Sequence, residues 1–320
     1  MARLAWHILV ACAVIVALFL LGLHHSPSLT IENWTFPRSL SRLNWTLEGN
    51  EKRYQAAIKE RQREIARIGG PNMPSIPNPD HVGQARYTIW DFFVPAFSCP
   101  FSVYRVGTLG DGGKWVCGFE RVVSRPECVV YSIGVDQQSS FEQALLSQSD
   151  HCQVYGFDPS ASEWGEKLRE DSAVNPRAHF FPYKFGGANN HDASPKEYTL
   201  VEVMKELGHS FVDILKIDIE GGEFQALRDI IQLFDGEPLP FGQMQIEIHL
   251  AHDPKDHMET IALFQEWWTM LEDAGLRAYW KELNVIYANN FRKGPYVIEW
   301  SFMNIRGKHA LTDDVLPDYP

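Results

Sequence analysis

The stretch FVDILKIDIEGGEFQAL, residues 211–227, sets Lys216, Asp218 and Glu220 beside two glycines, between an apolar run and a helical pattern. A second set of reactive groups, Glu247 and His249, closes the apolar run QIEIHL. Asp218 can accept a proton from a reacting hydroxyl, and His249 can act as a general base. Asp218, Glu247 and His249 together also make a hard-ligand set for a divalent metal ion, which would lower the pKa of a bound hydroxyl. The plainer readings make Asp218 a helix cap or a partner of Lys216, and His249 a hydrogen-bonded structural histidine.

These groups need a scaffold that brings them to one edge. Val212, Ile214, Leu215, Ile217 and Ile219 favour a buried strand, while Phe224, Leu227, Ile230 and Ile231 recur at helical spacing. Charges at such a strand-to-helix junction lie at the carboxyl edge of a sheet, where open α/β folds bind ligands. The same alternation runs from about Arg86 onward. Strands are predicted at Val129–Gly134, Gln153–Asp158, His179–Tyr183, Val212–Ile219, Gln243–Ile248, Ala278–Ile286 and Tyr296–Asn304. Helices are predicted at Ser140–Ser149, Phe224–Phe234 and Met258–Ala274. The pattern predicts an α/β domain with a doubly wound, mostly parallel sheet, its last two strands forming an antiparallel hairpin at the edge.

Two further units point to a nucleotide-like ligand. In VVYSIGVDQQSSFEQAL, Gly134 allows a tight turn after the strand, and Ser139 with Glu142 has the capping-box pattern. In CQVYGFDP the strand ends at Asp158, twenty-four positions after Gly134. An acid about 20 residues on is what ribose hydroxyls require in nucleotide-binding folds of this type. Together the units imply an adenosine-containing cofactor, without separating a dinucleotide from S-adenosylmethionine.

The motifs resemble those of FkbM-type methyltransferases. ILKIDIEGGEFQAL is similar to the fourth-strand motif of that family, and RVGTLGDGGKWVCG, residues 105–118, to its R-x-G-x-x-x-DGG segment. The likeness runs from Arg105 to the end of the domain and leans to a membrane-anchored eukaryotic branch. It implies a Rossmann-like class I methyltransferase fold that uses S-adenosylmethionine, held near Asp111, Gly112, Gly134, Asp136 and Asp158. Asp218, Glu220 and His249 then fall on the acceptor side, and oxygen methylation of a hydroxyl or carboxyl group, a glycan among them, is the implied reaction. The first loop departs from the family pattern, with Val135-Asp136-Gln137 in place of a second glycine. Asp218-Ile219-Glu220 also mimics the acidic D-x-D pair of glycosyltransferases, and a fold kept for binding alone is a third reading.

The rest of the chain sets the context. Its 320 residues carry a formal charge of −12 and no Lys/Arg-rich stripe, which excludes a phosphate-tracking nucleic-acid binder. Residues 4–23 form an apolar run of bilayer-crossing length after a three-residue tail, 1–3, that includes Arg3, so the bulk of the chain is expected in a lumen, Golgi or endoplasmic reticulum, as a single-pass type II membrane protein. Residues 24–85, with PNMPSIPNPD, read as a stem; 86–310 as the domain; 311–320 as a tail. Asn33 and Asn44 begin two N-x-T glycosylation sequons in the stem. Cys128 and Cys152 each stand six positions before Gly134 and Asp158, so adjacent strands in register would bring their Cα atoms to about 5 Å, within disulfide range. Cys99 and Cys117 are the remaining pair outside the apolar segment.

Overall fold

Runs of β-branched and aromatic residues form the strands here, and the central ones are buried. The computed structural model describes residues 41–73, 86–234, 236–250, 260–290 and 294–313. The chain divides into Met1–Ser41 and Arg42–Pro320, and the fold below belongs to the second unit. Helix α1 (Arg42–Arg67) leads to a hairpin, β1 (Val103–Val106) and β2 (Lys114–Cys117), followed by α2 (Phe119–Val123). Then come β3 (Val129–Ile133), α3 (Ser140–Ser147), β4 (Gln153–Phe157), α4 (Glu166–Glu170), β5 (Ala178–Phe181), β6 (Tyr183–Phe185), β7 (Lys196–Tyr198) and α5 (Leu200–Leu207). The second half holds β8 (Val212–Ile217), α6 (Glu223–Phe234), β9 (Phe241–His249), α7 (Ile261–Asp273), β10 (Leu276–Leu283), α8 (Val285–Asn290) and β11 (Val297–Asn304).

Seven strands make one sheet in the order β10-β11-β9-β8-β3-β4-β5. From β9 to β5 the pairing is parallel, whereas β11 runs antiparallel to both β9 and β10. This is a Rossmann-like sheet with an antiparallel end. Every residue of β8 and β9 is buried. Phe224, Phe264, Trp267, Trp268 and Trp300 pack in one core cluster, and Val130, Phe141, Leu145, Val154 and Ile214 in a second.

Several local expectations change for physical reasons. The strand expected to reach Ile286 stops at Leu283, because Asn284 Oδ1 accepts from the Tyr287 amide at 2.8 Å and so starts α8. Ser139 and Glu142 do begin α3, but not as a capping box. Ser139 Oγ accepts from the Gly165 amide at 2.9 Å, and Glu142 turns inward, fully buried, to accept from Ser132 Oγ at 2.5 Å. A buried charge needs partners more than a helix end needs a cap.

Helix α1 lies in the span expected to be a spacer, yet it packs on the domain. Tyr54 is buried and donates to Glu272 Oε1 at 2.8 Å, Arg61 pairs with Glu272 Oε2 at 2.7 Å, and Arg277 pairs with Glu51 Oε2 at 2.7 Å. At the other end, packing continues past residue 310. Leu311 is buried, and the Arg121 guanidinium donates to the carbonyls of Ala310 and Asp313.

Cys128 and Cys152 form a disulfide with Cα atoms 4.3 Å apart, just before the registered pair Val129 and Gln153 of β3 and β4. Cys99 and Cys117 form a second, with Cα atoms 5.9 Å apart. Asn44 is exposed on α1, while Asn33 and the apolar segment 4–23 lie outside the described residues. Among the described residues no helix is long and apolar enough to cross a membrane.

Candidate functional site

The chain builds the sheet outward in one direction through β3, β4 and β5, and in the other through β8 and β9. The direction changes between β3 and β8, and the crevice beyond the carboxyl ends of such strands is the binding place of open α/β sheets. Here the Asp218 amide donates to Ile133 O and the Gly134 amide to Phe157 O, each at 2.9 Å, so the exits of β8 and β3 are bonded to their neighbours. Gly134 has φ +81°, and a Cβ added there would sit 1.6 Å from the Asp218 carbonyl oxygen. Only glycine fits. The buried Lys216 ammonium donates to Gly134 O at 2.7 Å and lies 3.7 Å from Glu142 Oε1, which explains the inward turn of that glutamate.

Asp158 organises the loop that follows. Its Oδ2 accepts from the amides of Val135 and Asp136 at 2.8 and 2.9 Å. Its Oδ1 accepts from the Ser160 amide and hydroxyl at 2.7 and 2.6 Å and from the Ala161 amide at 3.0 Å. Burial would raise its pKa, but these donors hold the carboxyl down at about 2. Asp158 lines the cavity, with both carboxylate oxygens accepting from the chain's own donors. Both are committed to the chain, and the left-handed Asp136 and Gln137, at φ 36° and 61°, are set by that commitment.

The hairpin β1–β2 closes over this loop. Arg105 donates to Glu282 Oε2 at 3.0 Å and to the Thr108 carbonyl, and the Thr108 hydroxyl lies 3.0 Å from Ser140 Oγ. The R-x-G-x-x-x-DGG stretch is thus a turn pinned at both ends, and it brings Asp111 and Gly112 to the crevice.

On the other side the groups are ionic. Lys114, from β2, is 1% exposed, and its ammonium contacts Glu299 Oε1, Glu247 Oε2 at 3.5 Å and Asp218 Oδ2 at 3.7 Å. Asn284 Nδ2 donates to Glu247 Oε1 at 2.8 Å. His249 Nδ1 bonds Glu223 Oε1, and its Nε2 lies 3.5 Å from Glu220 Oε2 and 3.9 Å from both Asp218 Oδ1 and Glu247 Oε1. Burial works against a charged imidazole, but the Glu223 hydrogen bond and the surrounding carboxylates raise its pKa to about 9. These neighbours favour the charged imidazole over the neutral form that a general base requires. Burial also pushes Asp218 up, but Lys114, Lys216 and His249 outweigh it and hold the carboxyl below its usual range. Glu247 is raised well above, by burial and by Glu299 and Asp218.

One cavity of about 680 Å³ joins the two sides. Asp111, Gly112, Gly134, Asp136, Asp158, Asp218, Glu220, Glu247 and His249 all line it, together with Lys216, Ser160, Asn284 and Tyr287. Sequence reasoning missed Lys114, Glu223, Glu299 and Asn284. A buried lysine immediately after DGG gives no local sign of its partners, and Glu299 sits in a run that reads only as strand.

A family model described as "Methyltransferase domain" matches residues 56–297, and the chain belongs to that family. The fold of this family implies S-adenosylmethionine as methyl donor. Among curated proteins, the chain is 25% identical over 137 residues to "Probable methyltransferase-like protein 24" of Rattus norvegicus, covering 42% of this chain and 36% of that protein. The Homo sapiens protein of the same name is 24% identical over 137 residues, covering 40% and 34%. The match thus spans about a third of the length of these relatives. Solved structures with a related outline include the Methanococcus jannaschii fibrillarin pre-rRNA processing protein, at 12% identity and a TM-score of 0.37 over 74% of this chain and 89% of that one. The human methyltransferase 10 domain containing protein matches at 10% identity and 0.37 over 81% and 99%. Superpositions at this score carry no argument; the strand order above defines the fold by itself.

Proposed function

We propose that this protein transfers a methyl group from S-adenosylmethionine to a hydroxyl or carboxyl oxygen, with a luminal glycan as the acceptor class. The observation that carries the reading is the pairing, at the change of strand direction, of a backbone-locked loop at Gly134–Asp136 with an ionic cluster around Asp218. The cavity between them suits the donor, because a sulfonium ion with an ammonium group favours walls rich in carboxylates, and Asp111, Asp136 and Glu220 supply them.

When bound, S-adenosylmethionine supplies an electrophilic methyl group. The chain's own residues then have two tasks. Asp158 keeps the donor loop in one conformation, so binding does not have to order it. Asp218, partly exposed at the strand tip, orients the acceptor and takes its proton where the acceptor is a hydroxyl. His249 acts as a fixed positive charge behind Asp218 and Glu220. A divalent ion is the alternative device, since ligand atoms of Asp218, Glu247 and His249 lie within 4.8 Å of one another. The Lys114 ammonium among these carboxylates favours a metal-free site.

Residues 4–23 would anchor the protein with the domain in the lumen of the Golgi or endoplasmic reticulum. Two disulfides and sequons at Asn33 and Asn44 are the features that support this placement. Calorimetric titration with S-adenosylmethionine and with a UDP-sugar tests the donor, and binding of the UDP-sugar alone would overturn the reading. A screen of hydroxyl- and carboxyl-bearing glycans with labelled methyl donor tests the acceptor.

A further inference from the structure

We propose that Lys114 is a built-in cation that stands where a divalent ion would otherwise be required, holding Asp218, Glu247 and Glu299 together so that the site operates without metal. Glu247 and Glu299 are directly opposite each other across the antiparallel β9–β11 pair. Two carboxyl groups set that close and away from water need a cation or a shared proton between them. Asp218 arrives from the turn that follows β8, and Asp111 adds a fourth carboxylate whose oxygen lies within 4.8 Å of those of Glu247 and Glu299. Such spacing of oxygens from separate strands is that of a hard-ion ligand shell. Yet one ammonium reaches the middle of it, bonded to Glu299 and within 3.7 Å of Glu247 and Asp218. It comes from β2, a strand outside the main sheet, whose hairpin carries the DGG turn.

Lys114 is 1% exposed, so it cannot touch a substrate. It is a positioning residue that acts through Asp218. An ammonium offers charge and directed donors at a fixed place, whereas a metal ion would need a coordination shell from these same oxygens. The two devices exclude each other.

The proposal rests on the methyl-transfer reading only for the role of Asp218, and its test does not require an acceptor. Thermal unfolding of the full chain is followed in chelator and in Mn²⁺, for wild type and for Lys114→Ala. Wild type should show the same midpoint in both. Lys114→Ala should unfold several degrees lower in chelator and recover part of that loss in Mn²⁺, and a further Glu247→Gln should abolish the recovery. A midpoint of wild type that rises in Mn²⁺ or falls in chelator would overturn the proposal, as would a Lys114→Ala midpoint indifferent to Mn²⁺. Should Lys114→Ala fail to fold, Lys114→Met/Glu299→Gln removes one charge of each sign and leaves Asp218, Glu247 and His249 as ligands; it should gain the same Mn²⁺ response, and its failure to do so overturns the proposal. Titration of wild type with S-adenosylmethionine reports separately on the methyltransferase reading.

Discussion

The two halves of the cavity are held in opposite ways. On the donor side, backbone amides of Val135, Asp136, Ser160 and Ala161 saturate one carboxylate, Asp158, and the loop has little freedom left. On the acceptor side, charged side chains from β2, β8, β9 and β11 balance one another. A backbone-built half resists changes of pH and depends on shape; a charge-built half depends on every member being present and ionised as it is. Donor binding and methyl transfer should therefore be separable by mutation.

The most damaging change falls where the halves touch. Gly134→Ala would force a Cβ to within 1.6 Å of Asp218 O at a φ of +81°, and should lower unfolding stability by more than about 4 kcal/mol, measured by denaturant unfolding. Asp218→Asn keeps size and removes charge, so turnover should fall about 10²- to 10⁴-fold in the labelled-donor assay while the fold remains.

The acceptor half should also show a pH response that the donor half lacks. The His249 pKa is raised from 6.5 to about 9, so its charged form favours the folded state. That stabilisation is complete below pH 6.5 and is lost as pH rises through about 9; the difference is on the order of 3 kcal/mol. Unfolding midpoints across this range should fall for wild type more than for His249→Gln. The smallest effect lies far from the cavity. Tyr54→Phe removes the 2.8 Å bond to Glu272 Oε1 and should cost about 1 kcal/mol, which would show that α1 belongs to the domain's stability.

What could be read from the sequence follows the same division. Gly134, Asp158 and the KIDIEGGEF turn are local: a strand ends, a tight turn follows, and neighbouring residues state the geometry. The central strands were equally plain, because buried parallel strands are rich in Val, Ile and Leu. The charge cluster is not local. Lys114 and Glu299 are drawn together from distant strands, and nothing near either residue records the other. Glu142 misled because its spacing to Ser139 satisfies a helix-capping pattern, while its real partners, Ser132 and Lys216, lie on the strands β3 and β8. Helix α1 lies in the span that reads as a stem because only a few of its residues, Tyr54 and Ile65 among them, turn to the core, and its Arg61 finds a buried glutamate instead of water.

The separation of donor loop from acceptor cluster is tested most directly by calorimetric titration of S-adenosylmethionine into wild type, Asp158→Ala and Asp218→Asn. Loss of the Asp158 bonds frees the loop and should weaken binding about tenfold to hundredfold, equivalent to roughly 1.5 to 3 kcal/mol, whereas Asp218→Asn should bind within about threefold of wild type. Equal binding by Asp158→Ala and wild type, or a loss in Asp218→Asn as large as that in Asp158→Ala, would contradict it.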